Sequence, residues 1–305
     1  MGPRAAIIVP TRDRPSYLDV ALRSLRPQAD AAGADVLVVL DGPDPASADV
    51  ARRHGARVVA HEAPRGLNAA RNTAAAATAA DLLVFVDDDV EVRPGWLPAL
   101  LAADAELPDA YGVLTGPVHA RFEDHRLRGC GREGPPITFL DLGPADADAE
   151  HAWGANMAVR RTALDRAGPF DEALGLYGDE QEWQTRLRAA GGRLRYVAAA
   201  ALDHRRAGDD ARLRALARAA FRRGAASRRF DVRRGAAPPL RGELRTLAGC
   251  AAHVVRFRCQ NGIVLTAHSA GRLRALGGDL IAPGGGGPAT PGGDEIGRAS
   301  CRERV

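Results

Sequence analysis

The sequence contains no lysine: all 42 basic residues are arginine, set against 38 acidic ones. Arginine is interleaved with Asp and Glu through most of the chain. No long run of one sign forms, and the net charge of +4 does not amount to a nucleic-acid-binding face. The abundance of Ala, Gly, Pro and Arg reads instead as GC-rich coding bias. A weak basic bias over residues 205–258 is the one remainder, suited to an anionic membrane surface or an anionic substrate. Cysteine is scarce as well. Cys130, Cys250, Cys259 and Cys301 form no CxxC pair and no His/Cys cluster at zinc-site spacing, so reduced cytosolic thiols are expected. No apolar stretch approaches the roughly 18 residues of a membrane span. The N-terminus leads straight into an apolar run, so no signal peptide is read there. No internal repeat is present.

The most informative segment is Leu82–Val86 followed by Asp87, Asp88 and Asp89. Five consecutive apolar residues read as a strand buried on both faces. Side chains alternate along an extended chain, so Asp87 and Asp89 can point the same way. Two hard oxygen donors at the carboxyl end of a central strand suit Mg²⁺ or Mn²⁺. That edge of an open α/β sheet is where ligands bind, and a divalent ion there commonly holds a diphosphate. An acidic turn after a strand is the plainer alternative.

Around this segment, strands are expected at Ala5–Val9, Asp35–Leu40 and Arg57–Ala60. Helices are expected from Pro15 to about Leu25, around Ser47–His54 and over 67–80. The alternation implies parallel β/α units with right-handed crossovers. Tyr111–Val118 and Trp153–Arg160 read as strands, Arg161–Ala167 as a short helix, Asp179–Ala190 as a helix stopped by Gly191-Gly192, and Arg193–Ala198 as a strand. Residues 119–150 lack periodicity and are expected to form a mobile acceptor-side loop. Beyond Arg205 the pattern is helical, over about 210–226, 240–258 and 261–276.

Taken in order, these motifs resemble the family 2 glycosyltransferases, over about residues 5–206. The opening strand and turn is Ile7-Ile8-Val9-Pro10-Thr11-Arg12-Asp13-Arg14-Pro15. Val38-Val39-Leu40-Asp41-Gly42 corresponds to the second strand and its acidic turn. Arg65-Gly66-Leu67-Asn68-Ala69-Ala70-Arg71-Asn72 corresponds to a helix start, and Asp87-Asp88-Asp89 to the metal-binding Asp-x-Asp. Trp153–Arg161 and Gly168–Glu172 resemble acceptor-side segments. Tyr177-Gly178-Asp179-Glu180-Gln181-Glu182-Trp183 falls at the acidic catalytic motif, and His204 at a late histidine.

The resemblance implies a GT-A fold, an open and mostly parallel sheet flanked by helices, to which the helical pattern beyond Arg205 adds a C-terminal helical appendage. It divides the chain into a catalytic domain at 1–206, with a nucleotide-binding half to about 90 and an acceptor half from 91, and a helical region at 207–280. It implies an inverting transfer of a sugar from a nucleotide-diphosphate donor to an acceptor hydroxyl, on a lipid-linked glycan or a small molecule. Divalent Mn²⁺ or Mg²⁺ is the implied cofactor, held by Asp89 and Asp87 with His204. Pro10, Thr11, Asp13, Asp41, Arg71, Asp87 and Asp88 are the implied nucleotide-sugar contacts. Trp153, Asn156 and Trp183 fall on the acceptor side. The catalytic base is carried to Glu180, with Asp179 close behind because the acidic pair stands in the reverse of the usual Glu-Asp order. The Gln-x-x-Arg-Trp motif of processive synthases is absent, which points to single-sugar transfer.

Each assignment has a plainer reading beside it. Asp179 and Glu180 can cap a helix. Asp41 can simply form a turn before Gly-Pro, Arg71 can be an exposed helix arginine, and His204 can be structural. The tryptophans can be core. Two other functions compete with glycosyl transfer. A sugar-phosphate nucleotidyltransferase would want glycines in the loop after the first strand, and Pro10–Pro15 has none. A non-catalytic nucleotide-sugar-binding protein would be expected to lose one acidic site, and both are intact. A cytoplasmic location is expected, with the helical region packed against the catalytic domain or, as the alternative, in peripheral contact with the inner membrane face. Residues 281–305 read as a disordered tail, of which 295–305 resembles the translation of a sequencing adapter.

Overall fold

The computed structural model describes residues 4–125, 127–175 and 177–279. The tail 281–305, with Cys301 and the adapter-like segment, lies outside the described residues.

The first half alternates as the sequence implies: β1 (Ala5–Thr11), α1 (Pro15–Ala32), β2 (Asp35–Leu40), α2 (Pro45–Arg53), β3 (Arg57–Ala60), α3 (Leu67–Ala77) and β4 (Leu82–Phe85). There follow β5 (Val90–Val92), α4 (Trp96–Glu106), β6 (Tyr111–Thr115), β7 (Val118–Phe122), β8 (Ala147–Ala149), β9 (Met157–Arg160), α5 (Arg161–Ala167), α6 (Asp179–Ala189), β10 (Arg193–Tyr196) and β11 (Leu202–Arg206). The chain continues into α7 (Leu213–Arg233), α8 (Leu240–Phe257) and α9 (Gln260–Asp279).

Eight strands form the main sheet in the order β3-β2-β1-β4-β9-β6-β10-β8. β1 pairs in parallel with β2 on one side and β4 on the other. The chain therefore turns outward in opposite directions from the β1/β4 junction, and a crevice at the carboxyl ends of these strands is where open α/β sheets hold ligands. β9 runs antiparallel to both β4 and β6, so the sheet is mixed. Both faces of the sheet are covered. Ile7 and Val9 pack with Leu18, Leu22 and Leu25 of α1 on one face. Ile8, Leu83 and Phe85 pack with Ala70, Ala74 and Trp183 on the other. Each such Ile, Val or Leu contributes about 1.5–3 kcal/mol. A strand with two covered faces shows no polar alternation, which is why β1, β2 and β4 stand out as apolar runs.

Several expectations need correcting. The strand foreseen over Tyr111–Val118 breaks at Gly116-Pro117. A Cβ on Gly116 would lie 2.1 Å from the Ala200 carbonyl oxygen, so the two backbones approach there as only glycine permits. Trp153–Arg160 begins as a 3₁₀ turn at Gly154–Asn156 and becomes a strand only at Met157. The segment 119–150 is not one loop: its ends are β7 and β8. A second, three-stranded sheet, β5-β11-β7, was not foreseen.

By its internal contacts the chain divides into two units. Of the described residues, the first comprises 4–121, 138–175 and 179–205 and holds the main sheet. The second comprises, again of the described residues, 122–125, 127–137, 177–178 and 206–279, so it takes in part of the segment expected to be a loop as well as the helices. Within this second unit, Cβ atoms on Gly224 and Gly271 would fall 2.0 Å from the carbonyl oxygens of His268 and Phe221 respectively. α7 and α9 therefore touch backbone to backbone. Arg272 of α9 binds Glu243 of α8 at 2.7 Å and Asp231 of α7 at 2.7 Å, tying the three helices together. Gly271→Ala should lower stability by about 1–3 kcal/mol, read as a lower denaturant midpoint, because a methyl there must push the helices apart. Among the described residues no helix is long and apolar enough to cross a membrane.

Candidate active site

The carboxyl ends of β1 and β4 carry the first cluster. Thr11 donates its hydroxyl to Asp88 at 2.6 Å. Arg14 lies 2.6 Å from Asp88 and 2.9 Å from Asp89, with its guanidinium 4.2 Å above the Tyr17 ring. Asp88 thus has both carboxylate oxygens engaged within the protein. Burial pushes its carboxyl up to about 7, against the pull of Arg14.

Asp89 is reached from a different direction. β5 begins immediately after the acidic triad and pairs antiparallel with β11, setting His204 opposite Val90. This register brings His204 Nε2 to 3.1 Å from Asp89, while Nδ1 lies 3.2 Å from the Thr138 carbonyl oxygen. The Asp87, Asp89 and His204 donor atoms all lie within 4.8 Å of one another. Two carboxylates and an imidazole form a donor set that fits Mn²⁺ or Mg²⁺.

The second cluster centres on Arg71, which is completely buried in α3. Its Nη1 donates to Asp179 at 2.7 Å and to Asn68 at 3.0 Å, and lies 3.9 Å from Glu180. Arg71 is therefore not an exposed helix arginine. The room for it comes from Gly154, where a Cβ would stand 2.1 Å from Arg71 Nη2. Asp179 and Glu180 open α6, where the helix dipole favours negative charge, but both are buried. Burial, reinforced by the charge of Asp179, pushes the Glu180 carboxyl well above its ordinary value. Burial acts on Asp179 as well, but Arg71 overrides it and holds that carboxyl low. The pair thus consists of an ionised Asp179 locked to an arginine and a Glu180 that readily keeps a proton.

Asp41, after β2, accepts from the backbone amides of Arg65 at 2.7 Å and Gly66 at 3.1 Å, and sits 3.1 Å from His61 Nδ1. Burial would raise its carboxyl, but these donors outweigh burial and hold it low. The other nitrogen of His61 meets the Thr73 hydroxyl at 2.9 Å. Asp13 takes a left-handed backbone, φ 54°, and donates its amide to Asp44 at 2.8 Å. Its side chain is exposed, and Pro10 is half-buried.

The acceptor-side residues divide. Asn156 is fully buried, accepts from the Trp96 indole at 2.9 Å and donates to the Ala200 carbonyl at 2.9 Å. Trp183 is fully buried against Phe170 and donates to the Gly168 carbonyl at 2.8 Å. Both are core residues with satisfied polar atoms and present nothing to an acceptor. Trp153 alone keeps partial exposure, its ring edge-on to His151 at 4.3 Å. Arg14 and His61 were not singled out from sequence; an arginine two residues after Arg12 and an isolated histidine carry no local signal.

Known proteins sharpen this picture. A pre-mycofactocin glycosyltransferase of Mycobacterium tuberculosis is 32% identical over 216 residues, 65% of this chain and 42% of the relative. The O-antigen biosynthesis protein RfbC of Myxococcus xanthus is 29% identical over 229 residues, 66% of this chain and 17% of the relative. The chain thus spans less than half the length of either. Among solved structures, the mannosyltransferase PcManGT from Pyrobaculum calidifontis, in complex with GDP-Man and Mn²⁺, aligns with TM-score 0.53 at 17% identity, over 93% of this chain and 77% of that one. GalNAc-T7 with UDP, GalNAc and Mn²⁺ aligns with TM-score 0.53 at 14% identity, over 92% of this chain and 57% of that one. These neighbours share the GT-A fold of the main sheet. The model for glycosyl transferase family 2 matches residues 6–168, a little over half of the chain and the whole run from β1 through α5. The chain belongs to glycosyl transferase family 2.

Proposed function

We propose that the protein is an inverting glycosyltransferase that moves one sugar from a nucleotide-diphosphate donor to an acceptor hydroxyl. The observation that carries this reading is the pair of clusters around the β1/β4 switch point: Asp87, Asp89 and His204 in one, Arg71 with Asp179 and Glu180 in the other. The Mn²⁺ held with the nucleotide or nucleotide sugar in both structural neighbours supports the cofactor part.

In this reading the nucleotide lies across the carboxyl ends of β1, β2 and β4. Asp41 keeps its carboxylate ionised and accepts a base N–H on Oδ2, the oxygen less crowded by the Arg65 and Gly66 amides. Asp87, Asp89 and His204 would hold the divalent ion, which when bound would supply Lewis-acid stabilisation of the departing diphosphate. Arg14 and Thr11 hold Asp88, and Arg14 also holds Asp89, so that one ligand and the strand end that carries it are fixed before donor arrives. The acceptor oxygen attacks the anomeric carbon from the face opposite the diphosphate, its proton passes to Glu180, and the nucleoside diphosphate departs. Arg71 holds Asp179 ionised, and burial together with that charge makes Glu180 the stronger base. The missing processivity motif supports release after one transfer.

Assaying a panel of UDP-, GDP- and dTDP-sugars for turnover, with Mn²⁺ and with chelator, tests the proposal. At least one donor should turn over with metal and stop when the metal is stripped. Metal-independent turnover would remove the ion from the mechanism, and turnover that requires added pyrophosphate and yields nucleoside triphosphate and sugar 1-phosphate would favour a nucleotidyltransferase.

Peripheral membrane contact, as for a lipid-linked acceptor, is supported by α8. Leu240, Leu244 and Val255 are exposed on it among Arg241, Arg245 and Arg256. Sedimentation with anionic vesicles should be salt-sensitive; no sedimentation at low salt would discard the idea.

A further inference from the structure

Two of the three described cysteines, far apart in sequence, converge with a histidine in the helical unit. Cys130 lies in the 122–137 segment, His253 in the last turns of α8, and Cys259 between α8 and α9. Cys130 Sγ stands 3.2 Å from His253 Nε2, and the three donor atoms all fall within 4.8 Å of one another. His253 and Cys259 are buried, and Cys130 is partly so. A tetrahedral zinc ion with its usual bond lengths separates its ligand atoms by about 3.5–3.8 Å, within the spread seen here.

The surrounding backbone is arranged to hold these atoms together. Arg258, a non-glycine residue, takes a left-handed conformation with φ 47° and ends α8, reversing the chain so that Cys259 returns toward His253. The Cys130 segment is fastened on both sides of the thiol. The Gln260 amide donates to the Arg128 carbonyl at 2.9 Å, the Arg128 amide donates to Gln260 Oε1 at 2.7 Å, and Asn261 Nδ2 donates to the Gly134 carbonyl at 2.9 Å. Glu133 Oε1 lies 3.9 Å from His253 Nδ1, on the far side of the imidazole from Cys130. A carboxylate on that side favours the tautomer with the proton on Nδ1, leaving Nε2 free to ligate. Cys250, the third described cysteine, is buried elsewhere beside Ser269, with Sγ 3.8 Å from its Oγ, and is not part of the group.

We propose that Cys130, Cys259 and His253 Nε2 form a zinc site, distinct from the Asp87/Asp89/His204 group, that clips the 122–137 segment to the helices. Thiolate and imidazole donors select zinc over the hard cations that suit a carboxylate site. Each thiol gives up its proton to solvent as the ion binds. Three protein ligands leave one coordination position for water. Sequence spacing hides the site because Cys130 lies far upstream of His253 and Cys259, and only the fold of the helical unit closes that gap.

Cobalt substitution tests this on the unmutated protein. Reduced protein titrated with Co²⁺ should develop thiolate-to-cobalt charge-transfer absorption and the visible bands of tetrahedral cobalt, saturating at about one ion per chain and displaced by Zn²⁺. The carboxylate group cannot produce the thiolate band, so the two sites are distinguished. Cys259→Ser and Cys130→Ser should abolish the band and at least tenfold weaken Zn²⁺ retention, while Cys250→Ala leaves both unchanged. Reduced, folded protein that shows no thiolate–cobalt band would overturn the proposal. So would a Cys130–Cys259 disulfide in protein isolated under cytosolic redox conditions and mapped by peptide mass.

Discussion

Asp89→Ala is expected to reduce metal-dependent donor turnover by about 10²–10³-fold, the scale of losing one fixed charge-stabilising group at a reacting centre. Asp89 is almost fully buried and faces both His204 at 3.1 Å and Arg14 at 2.9 Å. Its removal takes one of two carboxylates from the donor set and leaves Asp87 and His204 as ligands. Arg14 keeps Asp88 as its partner, so the fold should survive the truncation. Asp89→Asn is the sharper companion: it keeps the size of the side chain but loses the charge. Turnover should fall in both variants, and tighter Mn²⁺ titration should not rescue it fully. A folded Asp89→Ala protein with near-native turnover would remove this carboxylate from the metal site.

What could be read in the chain beforehand follows from the range over which each signal acts. β1, β2 and β4 announce themselves because burial on two faces demands an unbroken apolar run, a local property. The acidic triad is equally local. His204 had only its place in the motif order to recommend it; what sets it against Asp89 is the pairing of β5 with β11, strands of three and five residues with no periodicity of their own. Asn156 and Trp183 show the opposite error. Asn156 lies in a segment that resembles an acceptor-side motif and Trp183 ends the acidic catalytic motif, yet their polar atoms are spent on Trp96, Ala200 and Gly168 in the interior. Polar and aromatic residue types in a motif mark a region, and only burial decides whether a given side chain faces outward. The Asp179/Glu180 pair was legible as a pair. Its division of labour was not, because the opposing effects of a helix N-terminus and of burial differ between neighbours by the position of one arginine.

That division yields the strongest test. Glu180→Gln should lower transfer by roughly 10²–10⁴-fold, the usual contribution of a general base, with donor and metal binding retained. The same change should not unfold the protein. A carboxyl whose folded pKa lies above the unfolded value of about 4.5 adds stability that is full below that value and lost as pH rises through the folded pKa. At neutral pH wild-type Glu180 has lost some or all of that contribution, and the glutamine has none to lose. The variant should therefore be at least as stable as wild type at pH 7 while nearly inactive. In the wild type, kcat/KM should climb with pH along a limb lying above the ordinary carboxylate range, since only ionised Glu180 accepts the proton. Asp179→Asn separates the two acids. Without the Asp179 charge, Glu180 becomes the counter-ion of Arg71, its carboxyl falls, and the acid limb should move to lower pH with a slower plateau. An unshifted limb in Asp179→Asn together with near-normal transfer in Glu180→Gln would assign the base to another group.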